Sequence, residues 1–148
     1  MPTLQITILQ PKDDALAIQL AQIFYEHPLI PEKARALLAS ETAFLICGKA
    51  DNEIIGFCFF HLLPRWYDQE PEIFFYDIEV LPQYQRKGYG RLLFEAVVEF
   101  ARERKIEEIW LLTNESYQEA VPFYKALGGE VEAALLVSFG VGDDEGQA

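Results

Sequence analysis

A short loop ahead of an amphipathic segment carries the residues best suited to bind a charged ligand. It holds two glycines, Gly88 and Gly90, and three positive charges in an otherwise acidic chain, Arg86, Lys87 and Arg91. The first turn of a helix leaves backbone N–H groups without partners, and glycines let a phosphate approach those donors. The loop therefore predicts a pyrophosphate site, although an ordinary strand–helix turn with a solvated basic patch fits the glycines equally well.

The glycine spacing sets this loop apart from two common nucleotide-binding motifs. A dinucleotide-binding loop carries a third glycine three residues after the second, and this chain has Leu93 there. A P-loop ends in Gly-Lys-Ser or Gly-Lys-Thr, and neither sequence follows. The loop therefore belongs to neither class.

Two segments of the chain resemble the GNAT superfamily of N-acetyltransferases. Residues 80–90, VLPQYQRKGYG, are similar to the family's acetyl-CoA-binding motif, which lies between a strand and an amphipathic helix. Residues 114–128, NESYQEAVPFYKALG, are similar to the Asn…Ala…Phe-Tyr…Leu-Gly pattern on the family's next strand and helix. The motifs stand in the family's order and spacing. The resemblance implies an N-acetyltransferase that uses acetyl-CoA as cosubstrate and no metal.

The resemblance also implies which residues contact acetyl-CoA. The loop amides are expected to face the pyrophosphate. The backbone of residues 78–80 is expected to hold the pantetheine arm like an added strand, because pantetheine has peptide-like amides. Asn114 matches the family's amide contact to that arm. The expected cofactor-binding residues are Ile78, Val80, Gln85, Arg86, Lys87, Gly88, Tyr89, Gly90, Arg91 and Asn114.

Carboxylates near the expected thioester are candidates for the general base. A lysine-like ammonium must lose its proton before it attacks, which costs about 4.6 kcal/mol at pH 7. Asp77 and Glu79 lie on the strand beside the thioester and, by strand alternation, on one face. One of them is expected to accept the proton, although both pointing at solvent fits nearly as well. Some branches of the family carry a glutamate on this strand, where this chain has IFF at residues 73–75. Glu72 and His61 are further candidates for the general base.

Tyr124 matches the family tyrosine whose hydroxyl lies near the cofactor sulfur. With an ordinary pKa near 10 it stays protonated at neutral pH and is expected to supply a proton to the departing CoA thiolate. The alternative is a tyrosine merely packed on its helix. Neither Cys47 nor Cys58 lies in the motif region, so direct attack without an acyl-enzyme is expected.

The charge of the chain favours a cationic acceptor. A net charge of −12 argues against nucleic-acid binding and suits a substrate drawn to an acidic mouth, although acidity is more often a matter of solubility. The stretch PEIFFYDIEV, residues 71–80, also resembles the corresponding strand of aminoglycoside 3-N-acetyltransferases. A small cationic amine is the expected acceptor, with a protein or peptide amine, or a non-catalytic acyl-CoA sensor, as alternatives. The acidic residues expected near the acceptor are Asp68, Glu70, Glu72, Asp77 and Glu79.

The elements that must position these residues follow from the hydrophobic periodicity. The predicted strands are Leu4–Leu9, Thr42–Cys47, Ile54–Leu63, Glu72–Val80, Ile109–Leu112 and Val131–Phe139. The predicted helices are Asp13–Tyr25, Glu32–Leu38, Arg91–Arg104 and Ser116–Leu127. This order predicts an α+β fold with a mixed, mostly antiparallel central sheet flanked by helices. The resemblance adds a bulge in the strand 72–80, which splays it from the strand 109–112 and opens a slot for acetyl-CoA.

The remaining expectations concern organisation and location. Residues 1–141 are expected to form a single domain, and the acidic tail 142–148 to be flexible. Both cysteines lie in apolar runs and are expected to be buried free thiols of a reducing compartment. No secretory signal and no membrane span are expected, so a cytoplasmic location is predicted. Dimers are common in folds of this kind, and a homodimer is considered, although no residue points to one.

Overall fold

The computed structural model describes residues 3–67 and 69–142. Asp68 of the predicted acidic group and residues 143–148 of the predicted tail lie outside them. The chain divides after Leu112 into two compact units, which are taken in turn. The organisation of residues 1–141 as one domain stays a prediction.

The first unit contains the predicted elements in the predicted order. The strands are β1 Gln5–Ile8, β2 Ala43–Ala50, β3 Glu53–Leu63, β4 Glu72–Val80 and β5 Ile109–Trp110. The helices are α1 Asp14–Tyr25, α2 Pro31–Leu38 and α3 Tyr89–Glu103. The five strands lie side by side in numerical order, antiparallel from β1 to β4 and parallel between β4 and β5. The predicted α+β fold with a mostly antiparallel sheet is confirmed.

Helices cover both faces of this sheet. α3 contributes Leu93 and Val97 to one core cluster, and α1 contributes Leu20 to another. Neighbouring residues of β2 alternate between the two clusters, with Ile46 in the first and Cys47 in the second. Because side chains alternate along a strand, α3 lies on one face, the α3 face, and α1 and α2 lie on the other, the α1 face. Both cysteines are buried free thiols, as predicted.

β4 contains a bulge at Tyr76. Phe59 of β3 lies opposite Asp77, and Phe60 lies opposite Phe75, so Tyr76 is an extra residue without a partner on β3. In a regular strand Asp77 would share the face of Phe75, whose side chain is buried against α3. The bulge shifts the alternation by one residue and turns Asp77 to the α1 face.

β4 and β5 diverge soon after they meet. They pair only through Ile73 with Ile109 and Phe74 with Trp110. Within the first unit, the rest of β4 has no strand on that side, so the predicted splay between these strands is confirmed. Residues 72–74 are called the paired half of β4 below, and residues 77–80 the open half.

Three boundaries in the first unit differ from the prediction by more than one residue. β2 continues to Ala50, three residues beyond Cys47. α3 begins at Tyr89, two residues before Arg91, because Gly88 adopts a left-handed φ of 89° and forms the N-cap. β5 ends at Trp110 instead of Leu112, because its partner strand diverges after two paired residues.

The second unit contains one helix, α4 Ala120–Ala126, among its described residues. The prediction placed its start at Ser116. Pro122 explains the difference, because a proline is tolerated in a first turn but clashes with the preceding turn in a helix interior. The helix ends as predicted, with Gly128 at a left-handed φ of 95° and the Gly129 N–H donating to the Tyr124 carbonyl at 2.9 Å.

The predicted last strand, Val131–Phe139, is wrong. Residues 130–141 pair with no strand in the described part of the chain, and their side chains are exposed. A strand is stabilised by pairing and by packing of its faces as well as by local preference, so a strand-like composition alone does not make this segment a strand.

Candidate active site

The loop between β4 and α3 presents backbone donors at a helix N-terminus. Arg86 and Gly88 both adopt left-handed φ values, of 62° and 89°, which turn the chain sharply into α3. The first bond of the helix runs from the Leu92 N–H to the Gly88 carbonyl at 3.3 Å. The amides of Tyr89 and Gly90 precede that bond and lie at the positive end of a 15-residue helix. This arrangement suits a pyrophosphate.

Tyr84 and Gln85 fix this loop to the sheet. The Tyr84 hydroxyl donates to Glu53 Oε2 at 2.7 Å, at the start of β3, and this bond raises the pKa of Tyr84. The Gln85 Nε2 donates to the Val80 carbonyl at 2.9 Å, at the end of β4. The Lys87 Nζ lies 6.0 Å from the centre of the Tyr84 ring. Sequence reasoning gave Tyr84 no anchoring role, since its partner lies 31 residues away.

The side chains of the loop are exposed and basic. Arg86, Lys87 and Arg91 are all exposed, as a binding site for a soluble anion requires. Arg91 also lies 3.7 Å from Glu95, one turn along α3. An exposed pair of this kind contributes little to stability, so the Arg91 guanidinium can rearrange at small cost.

The open half of β4 presents backbone hydrogen-bonding groups on its free side. The Leu81 N–H donates to the Ile55 carbonyl of β3 at 2.9 Å. In an antiparallel ladder every second residue bonds to the same neighbour, so Glu79 and Asp77 also face β3 and Ile78 and Val80 face away from it. The Gln85 side chain bonds to the Val80 carbonyl, while the Ile78 N–H and carbonyl project from the free side. The predicted contacts of Ile78 and Val80 with acetyl-CoA stay predictions.

Gly56 lets β3 approach the open half closely. It lies opposite Val80, and a Cβ at this position would stand 2.4 Å from the Glu79 carbonyl oxygen. Real side chains do not fit at that distance. An isolated glycine in a strand pattern was the sequence signal for this close approach.

Two carboxylates and a tyrosine form a cluster on the α1 face, called the carboxylate cluster below. The Tyr25 hydroxyl, at the end of α1, donates to Asp77 Oδ2. Burial and then the bond to Asp77 raise the pKa of Tyr25. Burial and then the Asp77 charge raise the pKa of Glu79. Sequence reasoning missed Tyr25, because it lies 52 residues from its partner and has no motif around it.

Of the two further base candidates, the structure separates Glu72 from this cluster. Glu72 lies at the other end of β4, where it accepts a bond from Arg65 at 3.3 Å. At about 3.3 Å per residue, Glu72 and Glu79 are about 23 Å apart along the strand. His61 packs among aromatic rings, 4.8 Å from Phe59 and 6.1 Å from Tyr76 between ring centres.

Asn114 and Tyr124 lie in the second unit. The Asn114 Oδ1 accepts the Ser116 N–H at 2.9 Å, which closes a turn ahead of α4. Tyr124 lies on α4, with its ring 5.1 Å from that of Phe123. Their contacts with the cofactor stay predictions.

Two kinds of feature do not occur in the described part of the chain. Residues 3–67 and 69–142 contain no group of three or more His, Cys, Asp or Glu side chains that could hold a metal ion. None of their helices is long and apolar enough to cross a membrane.

Comparison with known sequences finds acetyltransferases. The model of the acetyltransferase (GNAT) family matches residues 14–128, which is more than half of the 148 residues. The chain is 36% identical over 53 residues to the ribosomal protein bS18-alanine N-acetyltransferase of Escherichia coli K12. That match covers 36% of this chain and 36% of the relative, so the chain spans about a third of the curated relative's length.

Comparison with solved structures finds the same fold. An aminoglycoside acetyltransferase from an uncultured soil metagenomic sample, in complex with sisomicin, matches with a TM-score of 0.85 at 22% identity, covering 95% of this chain and 97% of that one. The aminoglycoside N-acetyltransferase AAC(6')-Iy, in complex with CoA, matches with a TM-score of 0.77 at 19% identity, covering 94% and 95%. At these identities the likeness shows the fold alone.

Proposed function

The chain belongs to the GNAT acetyltransferase family, and we propose that it transfers the acetyl group of acetyl-CoA directly to a primary amine of a small cationic molecule. The observation that carries this proposal is the bulge at Tyr76. It turns Asp77 and Glu79, both in the open half of β4, to the α1 face of the sheet. Carboxylates at that place can bind an ammonium and accept its proton.

The first unit fits acetyl-CoA in two places. The start of α3, with Gly88 and Gly90, suits the pyrophosphate, and the exposed basic side chains around it add positive charge. The backbone of Ile78 suits the amides of the pantetheine arm, which would then extend the sheet beside β4. A structural neighbour is described as a complex with CoA. When bound, acetyl-CoA supplies an acyl group activated as a thioester.

The carboxylate cluster is proposed to prepare the amine. Asp77, held by Tyr25, attracts the ammonium, and Glu79 accepts one of its protons directly or through a water molecule. The raised pKa of Glu79 makes it a stronger base than an ordinary glutamate. The neutral amine then attacks the acyl carbon, so that a C–N bond forms, the C–S bond breaks and the nitrogen releases its second proton to solvent. On the family resemblance, Tyr124 is proposed to protonate the departing thiolate.

Several features favour a small cationic acceptor. The chain carries a net charge of −12, and Tyr76 exposes its ring next to Asp77. An exposed aromatic ring attracts cations, so Tyr76 and the carboxylate cluster both favour the binding of a cationic acceptor. Structural neighbours described as aminoglycoside acetyltransferases act on molecules of this class.

A peptide N-terminal amine is the second candidate acceptor. The observation in its favour is the 36% identity to an enzyme named for acetylating an alanine of ribosomal protein bS18. A peptide with a free N-terminal alanine therefore belongs in any acceptor screen.

The test is a screen for thiol release from acetyl-CoA. The acceptors are aminoglycosides, polyamines, amino acids and peptides with a free N-terminus. We expect release with at least one cationic small amine. Gly88→Glu should abolish acetyl-CoA binding in calorimetry, because it places bulk and negative charge at the pyrophosphate site. Saturable CoA binding by the unaltered protein, without release for any amine, would contradict the enzymatic proposal.

A further inference from the structure

A group of aromatic side chains lies on the α1 face of the sheet and is called the aromatic platform below. Its members come from β3, β4 and β5, and they are Phe59, His61, Phe74, Tyr76 and Trp110. All of them belong to the first unit. The residues next to them in the strands contribute to the core on the α3 face, namely Phe60, Phe75 and Ile109. Because side chains alternate along a strand, the platform lies on the opposite face.

The rings of the platform form one continuous surface. Phe74 lies 4.6 Å from Trp110 between ring centres, with the ring planes 26° apart, and 6.5 Å from His61, with the planes 21° apart. Tyr76 lies 5.9 Å from Phe74 and 6.1 Å from His61, at angles of 81° and 80°. The Tyr76 ring is therefore perpendicular to these neighbours, and the residue is 62% exposed. This arrangement leaves a face of the Tyr76 ring open to a ligand.

The platform continues directly from the carboxylate cluster. Asp77 follows Tyr76 in the chain and lies opposite Phe59 across the strands. Three residues separate Asp77 from Phe74, which is about 10 Å along a strand. A ligand that binds Asp77 through an ammonium and extends along β4 toward the paired half therefore lies over the Tyr76 ring.

We propose that the aromatic platform binds the ring of an arylalkylamine, which is a primary amine joined to an aromatic ring by a short carbon chain. This inference rests on the proposed function and names the class of its acceptor. The ammonium pairs with Asp77, and the aromatic ring of the acceptor lies against the Tyr76 ring and reaches toward Phe74. Aromatic rings in offset or edge-to-face contact attract each other beyond the effect of buried area.

The chemistry of the platform favours an aromatic body over a sugar or a second ammonium. Its only side-chain hydrogen-bonding groups are the His61 ring nitrogens, the Tyr76 hydroxyl and the Trp110 indole N–H, which are few for a ring bearing many hydroxyls. A second ammonium beyond the platform would meet Glu72, which already accepts a bond from Arg65 at 3.3 Å. The carboxylate cluster therefore suits one positive charge, and the platform suits an uncharged flat ring.

The first test compares 4-phenylbutylamine with butylamine, which has the same amine and carbon chain without the ring. In thiol release from acetyl-CoA, kcat/KM for 4-phenylbutylamine should be at least about tenfold higher, because its ring buries apolar surface on the platform. An aminoglycoside that is turned over more efficiently than 4-phenylbutylamine would overturn the inference and leave the proposed function standing.

Variants locate this preference on the platform. Tyr76→Ser should lower the ratio of the two kcat/KM values at least about threefold, and Phe74→Leu, which keeps an apolar side chain in the sheet, at least about twofold. The ratio is the readout, because a general loss of structure lowers both values together. Tyr67→Ser is the matched control, since Tyr67 is an exposed tyrosine whose ring contacts Trp66 in the loop between β3 and β4. It should leave the ratio within about 1.5-fold.

Saturation-transfer NMR of 4-phenylbutylamine tests the platform without turnover. The titration contains CoA, which has no acetyl group to transfer. The ring protons should receive more saturation than the chain protons, and Tyr76→Ser should weaken this transfer while Tyr67→Ser does not. Such binding without thiol release in the kinetic assay would contradict the proposed function and still support the platform. Equal kcat/KM values for the two amines, or the same ratio in Tyr76→Ser and Tyr67→Ser, would overturn the inference.

Discussion

The two halves of β4 belong to one strand but differ in their pairing and in the side chains that they carry. The paired half, residues 72–74, has a neighbouring strand on each side and holds Ile73, whose side chain is fully buried. The open half, residues 77–80, has β3 on one side only and carries two half-buried carboxylates. The bulge at Tyr76 lies between them. The paired half fixes the strand, and the open half is the part proposed to bind acetyl-CoA through its backbone.

This difference explains why the open half suits the proposed binding of acetyl-CoA. Backbone groups in a complete sheet are satisfied by their neighbours, whereas a strand that loses one neighbour keeps unsatisfied donors and acceptors in a rigid position. A bulge also reverses the facing of every residue that follows it. One extra residue therefore turns Asp77 and Glu79, which would otherwise share the face of the buried Phe75, to the α1 face.

The largest effect expected from this comparison is that of Glu79→Gln. The variant keeps the shape of the side chain but cannot accept a proton, so kcat/KM for the best amine should fall about 10²- to 10⁴-fold. Glu72→Gln is the matched control in the paired half, where Glu72 bonds to Arg65, and it should stay within about threefold. Equal losses in the two variants would contradict the division of the strand into two halves.

A smaller effect is expected from Gly56→Ala. The new Cβ would lie 2.4 Å from the Glu79 carbonyl oxygen, so the open half must move away from β3. We expect a loss of about 1–3 kcal/mol in the free energy of unfolding, together with weaker acetyl-CoA binding. Gly48→Ala is the control, because its Cβ would meet mainly the end of the Leu4 side chain, at 2.8 Å. Unchanged acetyl-CoA affinity in Gly56→Ala would contradict the idea that acetyl-CoA binding depends on the position of the open half.

The smallest effect is expected from Tyr25→Phe, which removes the bond to Asp77 and keeps the ring. The loss in the free energy of unfolding should be about 0.5–1 kcal/mol, below the usual range for a bond to a charged group because the Tyr25 side chain is half exposed. The pKa of Tyr25 is raised on folding, so this contribution is present below pH 10.0 and is lost as the pH rises further. Denaturant titrations of both proteins from pH 7 upward measure it, and a difference that grows with pH would have the wrong sign.

The sequence was most informative where local patterns decide the structure. The bounds of β4 were predicted as Glu72–Val80 and agree with the structure. The entry into α3 was placed within two residues, because glycine conformations and helix periodicity act over a few residues. The loop between them was found through its glycines and its basic side chains, and the resemblance supplied the bulge and the splay.

Long-range contacts account for what the sequence did not show. The bond between Tyr25 and Asp77, and the bond between Tyr84 and Glu53, join residues that no local pattern connects. The strand predicted at Val131–Phe139 failed for the same reason, because pairing depends on an adjacent sheet edge as well as on local preference. The late start of α4 was an avoidable error, since Pro122 was visible in the sequence.

Backbone amide chemical shifts during a titration with acetyl-CoA would test the role of the open half most directly. The account predicts large, saturable changes for Ile78, Gly88 and Gly90, with little change for Ile73 in the paired half. Tyr84→Phe should weaken this response, because the loop would lose its bond to Glu53. Saturable binding that leaves the amides of Ile78, Gly88 and Gly90 unchanged would contradict the account.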